Sequence, residues 1–246
     1  MKRNADIGFI LLPGGGMGSW IWEYLTPLLE YPSLCVEERA DYERHPDIRK
    51  ITINDCADHI AECAETAGFE EIILVGHSGS GCIAEITANK LNGRVRDLVF
   101  IAANIPPQGK RTVDVFPFSI KMMNLLSVKL MARGLKPSAK QHERMIREYL
   151  CNRCPEEMVR FALKHPVKTE PPAVASERIF RPDTGGTQKY FIKLAADNTG
   201  SIEFQDRMIA NLGGAREFVM NSDHMPMLSR PGELAYILNR IASGQG

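Results

Sequence analysis

Ser78 stands in the run Gly76-His77-Ser78-Gly79-Ser80-Gly81, directly after the apolar stretch Ile72 to Val75 and before helical spacing at Ile83, Ile86 and Leu91. A serine on a strand-to-helix turn needs small neighbours because the backbone is strained there, and it projects its hydroxyl above the sheet. That hydroxyl is a weak nucleophile at neutral pH, so the chemistry demands a histidine to take its proton and a carboxylate to orient the ring. His224 follows the apolar stretch Glu217 to Met220 and precedes the last helical pattern, which places it in a loop at the carboxyl edge of a sheet, the edge Ser78 would share. Asp197 follows Tyr190 to Leu194 in the polar turn Asp197-Asn198-Thr199-Gly200, again at a carboxyl end. The rivals fit less well. His45, His59, His142 and His165 sit in polar or helical stretches, and His77 is turned away by its adjacency to Ser78. Asp206 falls inside a helical stretch, and Asp223 is too close to His224 to orient its ring easily. Ser80 has Ser78 and Cys82 two residues to either side, where the strand-to-helix turn at Ser78 has Gly76 and Ser80, and Ala103 and Asn104, which follow the apolar stretch Leu98 to Ala102, carry no charge.

Charge that develops on a carbonyl oxygen needs donors held in place beforehand. Pro13-Gly14-Gly15-Gly16-Met17-Gly18 follows the first apolar stretch, and glycines let backbone amides approach a ligand closely. The amides of Gly15 and Gly79 are the candidate pair. The same loop admits another meaning: Gly14-x-Gly16-x-x-Ser19 approximates a dinucleotide fingerprint, with Glu37 near the place of a ribose-binding acid. Its third position is serine rather than glycine or alanine, and it leaves Ser78, Asp197 and His224 unexplained.

Short apolar stretches must position these residues: Ile7 to Leu12, Leu34 to Val36, Ile72 to Val75, Leu98 to Ala102, Tyr190 to Leu194 and Glu217 to Met220. They alternate with helical periodicity, the pattern of a parallel sheet covered on both faces. Asn54 is placed to cap a helix carrying Ala57, Ile60, Ala61 and Ala64, with Gly68 at its end. Pro231 suits the first turn of a last helix whose Leu234, Ile237, Leu238 and Ile241 form one apolar stripe. The predicted class is α/β, a mostly parallel central sheet flanked by helices, formed by residues 1–104 and 188–246. Residues 105–187 break the alternation and read as an inserted helical cap, rich in Met122, Met123, Leu126, Leu130, Met131, Met145 and Ile146. Methionines there serve either as flexible core filler or as an adaptable wall over a substrate pocket.

With 246 residues, 44% of them hydrophobic, the chain suits one α/β core with an insertion. Thirty basic residues against thirty acidic ones give no net charge, which argues against nucleic acid and against a polybasic membrane anchor. No apolar run approaches the ~18 residues of a spanning helix or the pattern of a signal peptide, so the expected compartment is the cytoplasm. Six scattered cysteines cannot build a disulfide scaffold, and the lone pair Cys151 and Cys154 lacks the further ligands of a zinc site. These two are expected to be surface or lid cysteines without a redox or metal role.

Taken together, FILLPGGGMGSWIWEYL, ILVGHSGSG, DNTGSIEFQ and SDHMPMLSRPGEL resemble the plant methylesterase and hydroxynitrile lyase branch of the α/β-hydrolase superfamily, over nearly the whole chain. The order Ser78, Asp197, His224 is also the one that superfamily uses. The resemblance implies an α/β-hydrolase fold and a cofactor-independent serine hydrolase of small carboxylic esters, with Ser78, Asp197 and His224 as triad and Gly15 and Gly79 as oxyanion hole. The lyases of the branch carry threonine at the position of Gly14 and lysine at that of Met225; this chain has neither, which is the esterase-like choice. Pro13 and Ser80 depart from the branch's usual histidine and glycine. The expected pocket comprises Gly14, Trp20, Met122, Met123, Leu126 and Met225, and it suits apolar or aromatic acids esterified with short alcohols. No cofactor, metal, nucleic acid or membrane partner is expected; a homodimer is left open. The alternatives are lyase or carbon–carbon hydrolase chemistry on the same fold, or a ligand-binding protein with a silent triad.

Overall fold

The computed structural model describes residues 6–37 and 47–246; His45 lies outside them. Six strands form one sheet: β1 (Ile7–Leu12), β2 (Ser33–Cys35), β3 (Glu71–His77), β4 (Val95–Ile101), β5 (Gln188–Leu194) and β6 (Arg216–Met220). Their spatial order is β2-β1-β3-β4-β5-β6, and every neighbouring pair is parallel. The helices are α1 (Ile53–Ala67), α2 (Gly81–Lys90), α3 (Phe118–Met131), α4 (Ala139–Arg144), α5 (Glu156–Leu163), α6 (Pro172–Ser176), α7 (Ile202–Leu212), α8 (Pro226–Ser229) and α9 (Pro231–Ala242).

Two apolar clusters sandwich the sheet, because side chains alternate across each strand. Ile10, Leu12, Ile72, Leu74, Leu98 and Phe100 pack with α1, α2 and α7 on one face. Phe9, Leu11, Ile73, Val75, Val99 and Ile101 pack with α9 on the other. The stripe of α9 is buried as its spacing predicts. All six expected strands are present, but several extend into polar residues such as Glu71, Arg96 and Asp97, which apolar counting leaves out. β4 instead stops one residue early, at Ile101, because Ala102 turns to φ 42°.

Helix α1 corrects one detail. Its cap is Thr52 rather than Asn54: the Asp55 amide donates to the Thr52 hydroxyl at 3.1 Å, and the Thr52 amide donates back to the Asp55 carboxylate at 2.8 Å. This reciprocal pair satisfies two otherwise orphaned amides and starts the helix two residues earlier. Gly68 ends it at φ 73°.

Between β4 and β5 the described elements are helices and short turns, joined by one isolated bridge between Arg111 and Arg178. A π-helical turn, Met145–Leu150, prolongs α4. No helix among the described residues is long and apolar enough to cross a membrane. The chain runs from β1 out to β2 and returns to β3 on the other side of β1, so a crevice opens between the carboxyl ends of β1 and β3.

Candidate active site

The glycine loop leaves β1 and Ser78 leaves β3, on the two sides of that crevice. Ser78 has φ 53°, a conformation non-glycine residues rarely adopt, and it is held by a bond from the Asn104 amide to its carbonyl at 2.8 Å. Tight packing enforces the turn. A Cβ on Gly81 would lie 2.6 Å from that of Ala103, and one on Gly14 would lie 2.9 Å from that of Ser78. Ser80 fits despite its side chain, because its hydroxyl donates to the His77 carbonyl at 2.8 Å.

Asp197 and His224 come from the loops after β5 and β6. These loops are tied by the Ala196 amide donating to the Ser222 carbonyl at 3.0 Å. The His224 Nδ1–H donates to Asp197 Oδ2 at 2.7 Å, and both side chains are almost wholly buried. Burial alone pushes the Asp197 pKa up, but the neighbouring imidazole and hydrogen bonds from His224 and Thr199 outweigh it and hold the carboxyl below its ordinary value. With the proton fixed on Nδ1, Nε2 is the nitrogen left to accept one.

Ser78, His224, Asp197, Gly15 and Gly79 all line one cavity of about 330 Å³. Among the described residues no hydrogen bond joins the Ser78 hydroxyl to the imidazole; the two meet as walls of the same space. The Gly15 amide nitrogen lies 3.5 Å from where a Cβ on Gly79 would stand, so the two glycines face each other closely. The Gly16 amide donates to the Glu170 carboxylate at 2.6 Å, which pins the glycine loop to the helical segment. Glu37 accepts from the Ser19 amide at 3.1 Å and pairs with Lys168. That carboxylate therefore braces the loop and is already engaged where a ribose would have to reach it.

None of the six residues expected in the pocket lines the cavity. Met122, Met123 and Leu126 point outward and are exposed; the opposite side of α3, Asn124, Ser127, Val128 and Met131, lines the cavity. Trp20 is not a wall either: it stacks on His165 with ring centroids 4.5 Å apart and meets Phe161 edge-on. Met225 is fully buried in the core, and Gly14 lies beneath the cavity floor against His77 and Ser78. Of the two places expected for Cys151, surface or lid, the surface is excluded: it is buried within the segment 105–187. The Cys154 thiol contacts Cys151, and that contact, burial and the nearby Asp223 carboxylate push its pKa up. Among the described residues no group of three or more ligand-type side chains could hold a metal.

Four supporting residues lack a sequence signal of their own. The Thr199 hydroxyl donates to Asp197 Oδ1 at 2.7 Å and lies 2.9 Å from His224 Nδ1. The turn 151–154 clamps both loops: Asn152 donates to the Ala196 carbonyl at 3.0 Å, and the Arg153 amide donates to the buried Asp223 carboxylate at 2.9 Å. His77 is turned toward the β6 loop, where its Nε2–H donates to the His224 carbonyl at 2.9 Å.

Burial depresses the His77 pKa to about 3. Between that value and an unfolded value of about 6.5, the unfolded chain binds this proton and the folded chain does not, so the group costs stability as pH falls. The expected loss is about 2 kcal/mol between pH 7 and pH 5, at 1.36 kcal/mol per unit. Urea midpoints at the two pH values check it, and His77→Gln, which keeps a donor without a titrating ring, flattens the slope. Gly14→Ala is expected to cost about 1–3 kcal/mol through overpacking, read by the melting temperature, because its Cβ would stand 2.8 Å from His77 Nδ1.

Comparison with known proteins adds the following. Over 252 residues the chain is 27% identical to "Putative methylesterase 13, chloroplastic" of Arabidopsis thaliana, covering 95% of this chain and 56% of that protein. It thus spans little more than half the length of that relative. Norfluorocurarine synthase 1 of Strychnos nux-vomica is also 27% identical, over 95% of this chain and 94% of its own. A solved Paenibacillus structure, described as an extracellular alpha/beta-hydrolase with structural and functional homology to tobacco salicylic acid binding protein 2, superposes with a TM-score of 0.80 at 16% identity. That match covers 96% of this chain and 98% of the other. The alpha/beta hydrolase family model matches residues 9–235, and the chain belongs to that family.

Proposed function

We propose that the protein is a serine hydrolase of small carboxylic esters. The observation that carries this reading is a serine held at φ 53° sharing one cavity with a hydrogen-bonded His224–Asp197 pair. His224 Nε2 takes the Ser78 proton as the hydroxyl oxygen attacks the ester carbonyl. The amides of Gly15 and Gly79 receive the oxyanion, and the alcohol leaves with the proton His224 returns. Water, deprotonated by the same nitrogen, then attacks the acyl-serine, and His224 returns that proton to the Ser78 oxygen as its bond to the acyl group breaks and the acid is released. Asp197 fixes the tautomer and stabilises the imidazolium. The chemistry is complete with side chains and water, so the proposal calls for no cofactor or metal.

Residues 105–187 are proposed to act as the cap. Val113, Phe116, Val128, Met131, Leu150 and Val174 give the cavity an apolar lining, and its size suits a small apolar or aromatic acyl group with a short alcohol. The methylesterase relative is consistent with a methyl ester. The scattered cysteines suit a reducing compartment, and the cytoplasm is the one proposed.

A second reading rests on the synthase among the relatives: one fold and site can serve other chemistry. Product analysis on methyl and aryl esters beside cyanohydrins separates the two. Release of acid and alcohol, together with labelling of Ser78 by a fluorophosphonate, supports the esterase. Failure of the label overturns it in favour of a binding protein.

A further inference from the structure

Helix α3 buries none of its residues, although it is largely apolar on every side. Its outer side carries Phe118, Met122, Leu126 and Leu130 at every fourth position, exposed by 77%, 47%, 59% and 36%. Met123 stands beside that row at 61%, and Leu135 follows in the next turn at 56%. Scattered exposed apolar residues are ordinary, but a continuous row along one helix is a surface that calls for a partner.

The charge around it is one-sided. Residues 115–142 contain Lys121, Lys129, Arg133, Lys136 and Lys140 and no Asp or Glu, in a chain whose thirty basic and thirty acidic residues cancel only as a whole. Lys121 pairs with Asp114 at 2.7 Å. Lys129, Arg133, Lys136 and Lys140 are exposed and make no ion pair among the described residues. The overall balance, which argues against a polybasic anchor, averages over this local excess.

We propose that the outer face of α3 and the turn after it dock on an anionic lipid surface. An exposed apolar row beside unpaired cations can rest on such an interface, its side chains entering the acyl boundary while the Lys and Arg stems extend to the headgroups. The anionic surface supplies the complement to the unpaired cations. A second copy of the chain does not: paired through this same face it offers the cations no carboxylate, since residues 115–142 contain no Asp or Glu. Because the inner side of α3 lines the cavity, docking would set the cavity close to the lipid.

Flotation of the full chain with vesicles tests this. Binding to vesicles of equal parts phosphatidylcholine and phosphatidylglycerol is expected to be at least about tenfold tighter than to phosphatidylcholine alone, and raised salt should release it. The double variant Phe118→Ser, Leu130→Ser and the double variant Lys129→Glu, Arg133→Glu should each lose about tenfold or more, with the melting temperature kept as control of folding. Absence of flotation, equal affinity for both vesicles, or wild-type binding by both variants overturns the proposal. A dimer in light scattering that Phe118→Ser, Leu130→Ser disperses, without flotation, assigns the face to a second copy and overturns it as well.

Discussion

Ser78→Ala is expected to lower kcat for a methyl or aryl ester by roughly 10⁶, about 8 kcal/mol of transition-state stabilisation, with KM nearly unchanged. The size follows from the geometry. Ser78 is the hydroxyl at the carboxyl end of β3 on the crevice side, and Ser80 cannot replace it because its own hydroxyl is bonded to the His77 carbonyl. What remains after the substitution is the glycine amides and the cavity, worth roughly 10³–10⁴ over water. Steady-state kinetics on the pure variant, with active-site titration to exclude contaminating wild type, give the number. A residual rate within about tenfold of wild type would remove Ser78 from the reaction.

Asp197→Asn is expected to cost about 10⁴ in kcat with the fold intact. The carboxylate holds the Nδ1 proton of His224 at 2.7 Å, and an amide in its place can present a donor there and favour the wrong tautomer. Thr199→Val is the control for mere disturbance of the loop. It removes a neutral hydroxyl that donates to the other carboxylate oxygen at 2.7 Å, worth about 1.5 kcal/mol, so a loss near tenfold is expected. If the two variants lose activity equally, the carboxylate acts by shape and not by charge. The pH profile separates them further, since only the first removes the charge proposed to stabilise the imidazolium.

Much of this arrangement is legible in the sequence because strands and their carboxyl ends are local features. Six short apolar runs, a run of small residues around Ser78 and the polar turn at Asp197 each declare themselves within about ten residues, which is the reach of periodicity and turn chemistry. The orientation of α3 is not local in that sense. Met122, Met123 and Leu126 look like a pocket wall because the helix is apolar on all sides, and only its tertiary placement turns Asn124 and Val128 inward. Trp20 misleads for the same reason: a large aromatic near a glycine loop gives no hint that His165, far along the chain, will stack on it. The clamps from Asn152, Arg153 and His77 are bonds to backbone atoms or to a carboxylate set aside as badly placed, and residue type alone does not announce them. Asp223 is unsuited to orienting the His224 ring, yet the same closeness lets it anchor the loop that carries it.

The walls of the cavity and the groups proposed to handle the proton are fastened to different parts of the molecule. Asp197 and His224 are anchored through main-chain atoms at the ends of β5 and β6, whereas the face of α3 that meets a ligand hangs on a helix with no buried residue. Exchanges at Asn124, Ser127 and Val128 should therefore recut what the protein accepts while leaving the turnover machinery and the melting point almost untouched. A lineage carrying this scaffold can change its diet cheaply, and a designer can begin at the same three positions.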